Sequence, residues 1–171
     1  MKYAITVAGA VAALSLATVP VSHAASASAD QAQVARKVAA ILAHNPGSIQ
    51  IGTDSVELEK GVVMQPASGP SGCANGWLCM FQNSNFGGYE IKFYACGSQN
   101  LANYIAPDGR NWTNRVSSID NSQTGGVQSR FYNNGHLVIV LNAGHYLRDL
   151  SKDSSADGGN ANDKIDTVRV C

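Results

Sequence analysis

Two kinds of apolar spacing divide the chain. Val34, Val38, Ile41 and Leu42 recur on one helical face, and this rhythm predicts a helix from about Asp30 to Ala43. Ser28 and Gln31 fit an S-x-x-Q capping box ahead of it, and "HNPG", His44 to Gly47, is the stop. Alternation then takes over: Ile49, Ile51, Val56, Leu58 and Val62, with glycine-containing turns between them, predict one or two strands. "QPASGPSG", Gln65 to Gly72, reads as a linker. From Cys73 onward the helical period fades, and short β-favouring runs such as "YEIKFYA" and "HLVIVLNA" alternate with Gly, Asn and Asp clusters. That pattern predicts an all-β sandwich or barrel over 73–171. Residues 25–72 form a helix-plus-strand leader. Fewer than about 50 residues rarely bury enough surface to fold alone, so the leader must dock on the rest, stay loose or be cut away as a pro-segment.

A faint repeat runs through the β region. "NL" at Asn100 and Leu101 returns as "DL" at Asp149 and Leu150, and "TNRVSSI" from Thr113 returns as "NDKIDTV" from Asn162, at a constant offset of about fifty residues. Two copies of one β motif follow. The opening hairpin fits less well, since Phe81, Phe86 and Gly88 are matched only loosely by Tyr132, Leu137 and Ile139.

The N-terminus changes how the cysteines are read. Lys2, an apolar run from Ala4 to Val19, Pro20 and the small residues Ser22 and Ala24 read as a signal peptide over 1–24. The run is shorter than the ~20 apolar residues of a membrane span. A secreted, extracellular protein is expected. Its four cysteines, Cys73, Cys79, Cys96 and Cys171, then read as disulfides rather than metal ligands. Of the three possible connectivities, a short local loop, Cys73 with Cys79, and a tie to the chain end, Cys96 with Cys171, is preferred; sequence does not choose between them. The formal net charge of +0 argues against partners recognised by bulk charge, nucleic acid and anionic membranes among them. A monomer is expected.

The run "FQNSNFGG" places Phe81, Phe86 and Gly88 in an aromatic-x4-aromatic-x-Gly pattern. Together with "TNRVSSI" it resembles the Greek-key signature of βγ-crystallin-like domains. "CANGWLCMF" in an exported chain is similar to the streptomycete metalloprotease-inhibitor type of peptidase inhibitor, which adopts that fold. The resemblance implies a double Greek-key sandwich. In it Phe81 and Phe86 stack in a folded-over hairpin, Gly88 supplies its turn, and the Ser118 hydroxyl pins it, with Thr167 in that role in the second copy. It implies a secreted peptidase partner, with metalloproteases as the candidate class. Inhibitory relatives carry a short cysteine-clasped loop between their two keys, and here no cysteine lies between Cys96 and Cys171. "NYIAPDG", Asn103 to Gly109, is the candidate reactive loop, with Tyr104 and Ile105 as its bulky apolar groups. An alternative implication is an extracellular calcium-binding or structural module. Calcium would take Asn114, the carbonyl of Arg115 and Ser117 in one site, and Asp163, the carbonyl of Lys164 and Asp166 in the other, all hard oxygen ligands.

Other chemistry finds no footing. "DSSADG", Asp153 to Gly158, imitates the start of an EF-hand loop, but Lys164 stands where a bidentate Glu is needed. His136 and His145 lie in no zinc-binding motif, and no G-x-S-x-G elbow is present. Glu90 and Asp108 read as surface charge, and "NWT" at Asn111 as a turn rather than a glycosylation site. An enzyme is not expected.

Overall fold

The computed structural model describes residues 22–67, 69 and 72–171. Most of the expected signal peptide, 1–21, lies outside the described residues. One helix, α1 (Ser22–His44), precedes eleven strands: β1 (Ile49–Gln50), β2 (Val56–Glu59), β3 (Val62–Pro66), β4 (Leu78–Asn83), β5 (Gly87–Phe93), β6 (Gly97–Asn100), β7 (Ser118–Asn121), β8 (Gln128–Asn133), β9 (His136–Asn142), β10 (His145–Leu147) and β11 (Thr167–Val170). The helix begins earlier than its apolar rhythm, so Ser28 lies within it rather than at its cap. No helix among the described residues is long and apolar enough to cross a membrane.

The strands form two antiparallel sheets, in the orders β1-β2-β3-β5-β4-β7-β10 and β6-β11-β8-β9. In each half the first, second and fourth strands stay together, β5-β4-β7 and β9-β8-β11. The third strand crosses over: β6 pairs with β11, and β10 pairs with β7. This reciprocal exchange makes the halves two interlocked Greek keys, the double Greek-key sandwich expected from the sequence. Between the sheets lie Leu78, Met80, Ile91, Phe93 and Ile119 from one side and Phe131, Val138, Val168 and Val170 from the other, all buried. They occupy alternate strand positions, as a half-buried strand requires.

The repeat is real at the level of single hydrogen bonds, with an offset of 49. The Asn114 N–H donates to the Ile165 carbonyl at 2.8 Å, and the Asp163 N–H donates to the Val116 carbonyl at 3.1 Å. Likewise Leu101 donates to Asp166 and Leu150 to Ser117, each at 2.9 Å. The isolated bridges Ile105–Asn111 and Ser154–Asn160 keep the same offset.

The leader is built into the sandwich. β3 pairs with β5 along its whole length, from Val62 opposite Phe93 to Pro66 opposite Tyr89, so Gln65 and Pro66 are strand rather than linker. Val38 and Ile41 of α1 enter the core. Beyond the helix end, the Asn45 amide donates to the carbonyls of Ile41 and Ile105, both at 2.8 Å, and its oxygen accepts from the Ile105 N–H at 2.9 Å. A side chain that satisfies both backbone groups of one residue fixes the leader against that loop. Two disulfides complete the frame, Cys73–Cys79 and Cys96–Cys171. The second closes a separation of 75 residues, worth on the order of 4 kcal/mol in the chain-entropy account.

Candidate functional site

The first key opens with the folded hairpin. Asn85 and Phe86 have φ of 55° and 60°, a left-handed conformation that turns the chain back over its own sheet. Phe86 then meets Phe81 edge to face, with ring centroids 5.3 Å apart. Tyr146 of β10 packs on its other side at 5.9 Å, and the Arg148 guanidinium lies over both rings. Gly88, at φ +81°, leaves little room for a Cβ, which would sit 3.0 Å from the Asn83 side-chain amide nitrogen. The Ser118 hydroxyl donates to the Asn83 carbonyl at 2.7 Å and accepts the Phe86 N–H at 3.1 Å. It therefore pins both arms of the bend.

The second key is built differently. β8 and β9 are joined by a two-residue turn, Asn134 and Gly135, with φ of 48° and 80°. This is the Asn-Gly chemistry of a tight hairpin, and among the described residues no aromatic pair folds over it. The expected pin, Thr167, is corrected: among the described residues its hydroxyl makes no hydrogen bond to the turn. Asp166 takes the role, its Oδ2 accepting the Asn134 N–H at 2.6 Å. A two-residue turn is shorter than a folded-over hairpin, so the anchor comes from the residue before.

The residues expected to hold calcium lie near the junction of the two keys. The Ser117 hydroxyl lies 3.4 Å from Asp163 Oδ1, so one residue from each expected site meets the other across the two keys. Ser117 also lines an open crevice of about 420 Å³, together with Asn83, Ser84, Asp149, Ser151 and Asn162. The cations of both signatures point elsewhere. Arg115 pairs with Asp108 at 2.6 Å and Lys164 with Asp157 at 3.0 Å, which leaves their carbonyls free of their own side-chain charge. Asp166 Oδ1 is buried without a hydrogen-bond partner among the described residues. Asn114 and Asp163 both hold a left-handed backbone, at φ 56° and 52°.

The candidate reactive loop is also corrected. Tyr104 is 4 % exposed, packs against Phe93, and donates its one hydroxyl proton to Glu59 at 2.5 Å, with the Gln99 side chain 2.7 Å from the same oxygen. Burial, with Glu59 beside it, pushes the phenol far above its ordinary pKa. Ile105 is held by Asn45. Neither residue stands free to enter a peptidase cleft. Nearby, hydrogen bonds from Arg115 and then Arg110 hold the Asp108 carboxyl well below the usual carboxylate range.

An exposed loop of another kind joins the keys, residues 122–127. Thr124, Gly125 and Gly126 form its exposed tip, and its stem is tied at several points. Gly76 donates to the Ser122 carbonyl at 2.8 Å and Ala143 to the Val127 carbonyl at 2.9 Å. Gln123 is nearly buried. Its oxygen accepts from the Ser129 hydroxyl at 2.8 Å, and its amide reaches Cys171 Sγ at 3.1 Å. Thus a loop without cysteines leans on the Cys96–Cys171 bond through a glutamine. Sequence reasoning passed over it because its search was for a clasping cysteine, although the paired glycines between two β runs mark the loop.

No curated protein matches the chain. A solved structure described as "Evolution of the eye lens beta-gamma-crystallin domain fold" is 21% identical, covering 64% of this chain and 96% of that one, with a TM-score of 0.43. The fold and the two disulfides stand on the strand order and bonds described above, and the family resemblance noted in the sequence has its counterpart in a family model: residues 66–138, which run from the end of β3 into β9, match peptidase inhibitor family I36.

Proposed function

We propose that this protein is a secreted, monomeric peptidase inhibitor, with metallopeptidases as its targets, and that it presents the loop 122–127. The match to a peptidase inhibitor family supports the class. The observation that carries the loop is the contrast between its open Thr124-Gly125-Gly126 tip and its anchored stem. A segment already ordered before docking loses little conformational entropy on binding. Paired glycines let the backbone lie close to a cleft without side-chain obstruction. Two disulfides fit an extracellular setting. Inhibition requires no chemistry from the chain itself, in keeping with a non-enzymatic role.

The test is titration of a thermolysin-like peptidase, with a serine peptidase in parallel. Wild-type protein is expected to inhibit the metallopeptidase, and Thr124→Arg, at an exposed tip position without a left-handed backbone, to lose at least about tenfold in affinity, about 1.4 kcal/mol, with an unchanged melting temperature. Inhibition of neither peptidase rejects the reading, and inhibition untouched by loop changes moves the site elsewhere.

A second reading is calcium binding, supported by the Ser117–Asp163 approach and the unpartnered Asp166 oxygen. Ser117, Asp163 and Asp166, with the carbonyls of Arg115 and Lys164 and the amide of Asn114, supply the oxygen donors a hard cation prefers. The ion would stabilise the junction of the keys by linkage. A melting temperature that is the same in calcium and in chelator rejects this second role.

A further inference from the structure

Glu90 belongs to β5, whose neighbours on the outward face are Gln65 of β3 and the Cys73–Cys79 bridge beside β4. Outward positions of an edge-on sheet are ordinarily wet, yet Glu90 is 2 % exposed. The cause is the cover on this face, where Ala67, Cys73 and Trp77 pack on Cys79, Phe81 and Phe86. Gln65 donates to Glu90 Oε2 at 2.7 Å. The other carboxyl oxygen, Oε1, is buried and has no hydrogen-bond partner among the described residues. A Glu90 oxygen and the two sulfurs lie within 4.8 Å of one another.

An unpaired carboxylate buried beside a disulfide is costly, and a buried carboxyl usually lowers that cost by keeping its proton. Burial does push the Glu90 pKa up, against the opposing pull of Lys92 and of the Gln65 hydrogen bond, and with further upward pushes from Asp120 and Asp54. These are the charged groups that face it from β5, β7 and the β1–β2 turn. The molecule thus holds a proton donor beside a cystine. The two sulfurs also differ, since Cys79 is wholly buried and Cys73 only half-buried. An incoming thiolate can reach only Cys73, which makes Cys79 the leaving sulfur. A thiolate forming there in an apolar setting needs a proton.

We propose that Cys73–Cys79 is a thiol–disulfide exchange site in which Glu90 carries the proton, with small or protein dithiols as its co-reactants. In reduction, one thiolate of the dithiol attacks Cys73 Sγ, the S–S bond breaks, and its electron pair leaves on Cys79 Sγ. Glu90 transfers its proton to that sulfur and regains one from solvent. The second thiol of the reductant, deprotonated to solvent, then attacks its own sulfur in the mixed disulfide. Cys73 leaves as a thiolate and is protonated from solvent. The protein cystine is reduced to two thiols while the dithiol is oxidised to its disulfide. In the reverse direction the Glu90 carboxylate accepts the Cys79 proton and frees the attacking thiolate. This proposal does not depend on the inhibitor reading.

The test follows reduction of the intact chain by dithiothreitol between pH 5 and 9. Thiols are alkylated at intervals, and each disulfide is quantified separately by peptide mass spectrometry. Rates are divided by the dithiothreitol thiolate concentration. For Cys73–Cys79 the normalised rate is expected to fall as Glu90 loses its proton. In Glu90→Gln it is expected to be flat and, at the acidic end, lower by on the order of a hundredfold, the low end of general-acid effects. Cys96–Cys171 is the internal control, with the same profile in both proteins. A Glu90→Gln protein that reduces Cys73–Cys79 at the wild-type rate and profile overturns the proposal. Should that variant not fold, the wild-type profile decides alone: a flat normalised rate at Cys73–Cys79 overturns it equally.

Discussion

The two Greek keys share topology, offset and backbone hydrogen bonds, yet they are held closed by different physics. The first folds Phe86 onto Phe81 and secures the bend with a fully buried serine. The second closes with Asn134-Gly135 and a partly exposed aspartate. The long connections differ in the same sense. Trp112, fully buried in the first, is replaced by Ala161 in the second, and buried Tyr104 by Asp153. A strand exchange that interlocks two halves needs only one of them to carry the large apolar contacts. The other can rely on local turn chemistry, because β10 is already paired with β7 of the first key, and β11 lies between β6 of the first key and β8 of the second.

The comparison can be broken most severely at Phe86. Phe86→Ala is expected to cost about 3–5 kcal/mol in urea unfolding, the range for a buried phenyl, whereas Leu137→Ala on the second hairpin, 37% exposed, is expected to cost under about 1 kcal/mol. Equal losses would show that the second hairpin carries more of the core than its exposure indicates. Next come the pins. Ser118→Ala leaves the Phe86 N–H unpaired in a buried site and is expected to cost about 1–3 kcal/mol, while Thr167→Ala is expected to stay within about 0.5 kcal/mol. Comparable values for the two would restore Thr167 to the role that the structure gives to Asp166.

Gly88→Ala sharpens the same contrast at the backbone. Its φ of +81° and the 3.0 Å approach of Asn83 predict a loss of about 1–2 kcal/mol, whereas Asn134→Gly, in a turn that tolerates glycine, is expected to be nearly neutral. The smallest effect is a pH dependence. The Glu90 pKa is raised on folding, so the native state binds the proton more tightly than the unfolded chain. Its contribution is complete below the unfolded carboxyl pKa and is lost as pH rises through the folded value. Glu90→Gln should therefore melt at the wild-type temperature near pH 4 and slightly above it at pH 8. A difference that grows instead toward acid would mean that Glu90 is stabilised as a carboxylate.

Much of this was legible from spacing alone. The i, i+4 rhythm of Val34 and Val38 marked α1, alternation marked the strands, and the aromatic-x4-aromatic-x-Gly run marked the first hairpin, because each signal is local and its period follows from backbone geometry. The near-fifty-residue repeat announced two copies. What it could not convey is that β6 and β10 change places, since crossing to the opposite sheet leaves the local pattern of a strand unaltered. The leader shows the same limit. Its helix and strands were readable, but only the pairing of β3 with β5 and the grip of Asn45 on Ile105 decide that it is part of the sandwich.

Side-chain environments divide along that line as well. Tyr104 read as bait and Glu90 as surface charge, since sequence reports what a residue is and not what lies over it. The chain by itself determined its β character, its punctuation and the residues able to make a tight corner, all properties of short segments. Tertiary structure alone decided which strands trade sheets, which loop stands open and which carboxyl is shut in beside a disulfide, because burial and long-range pairing arise from segments distant in sequence meeting in space.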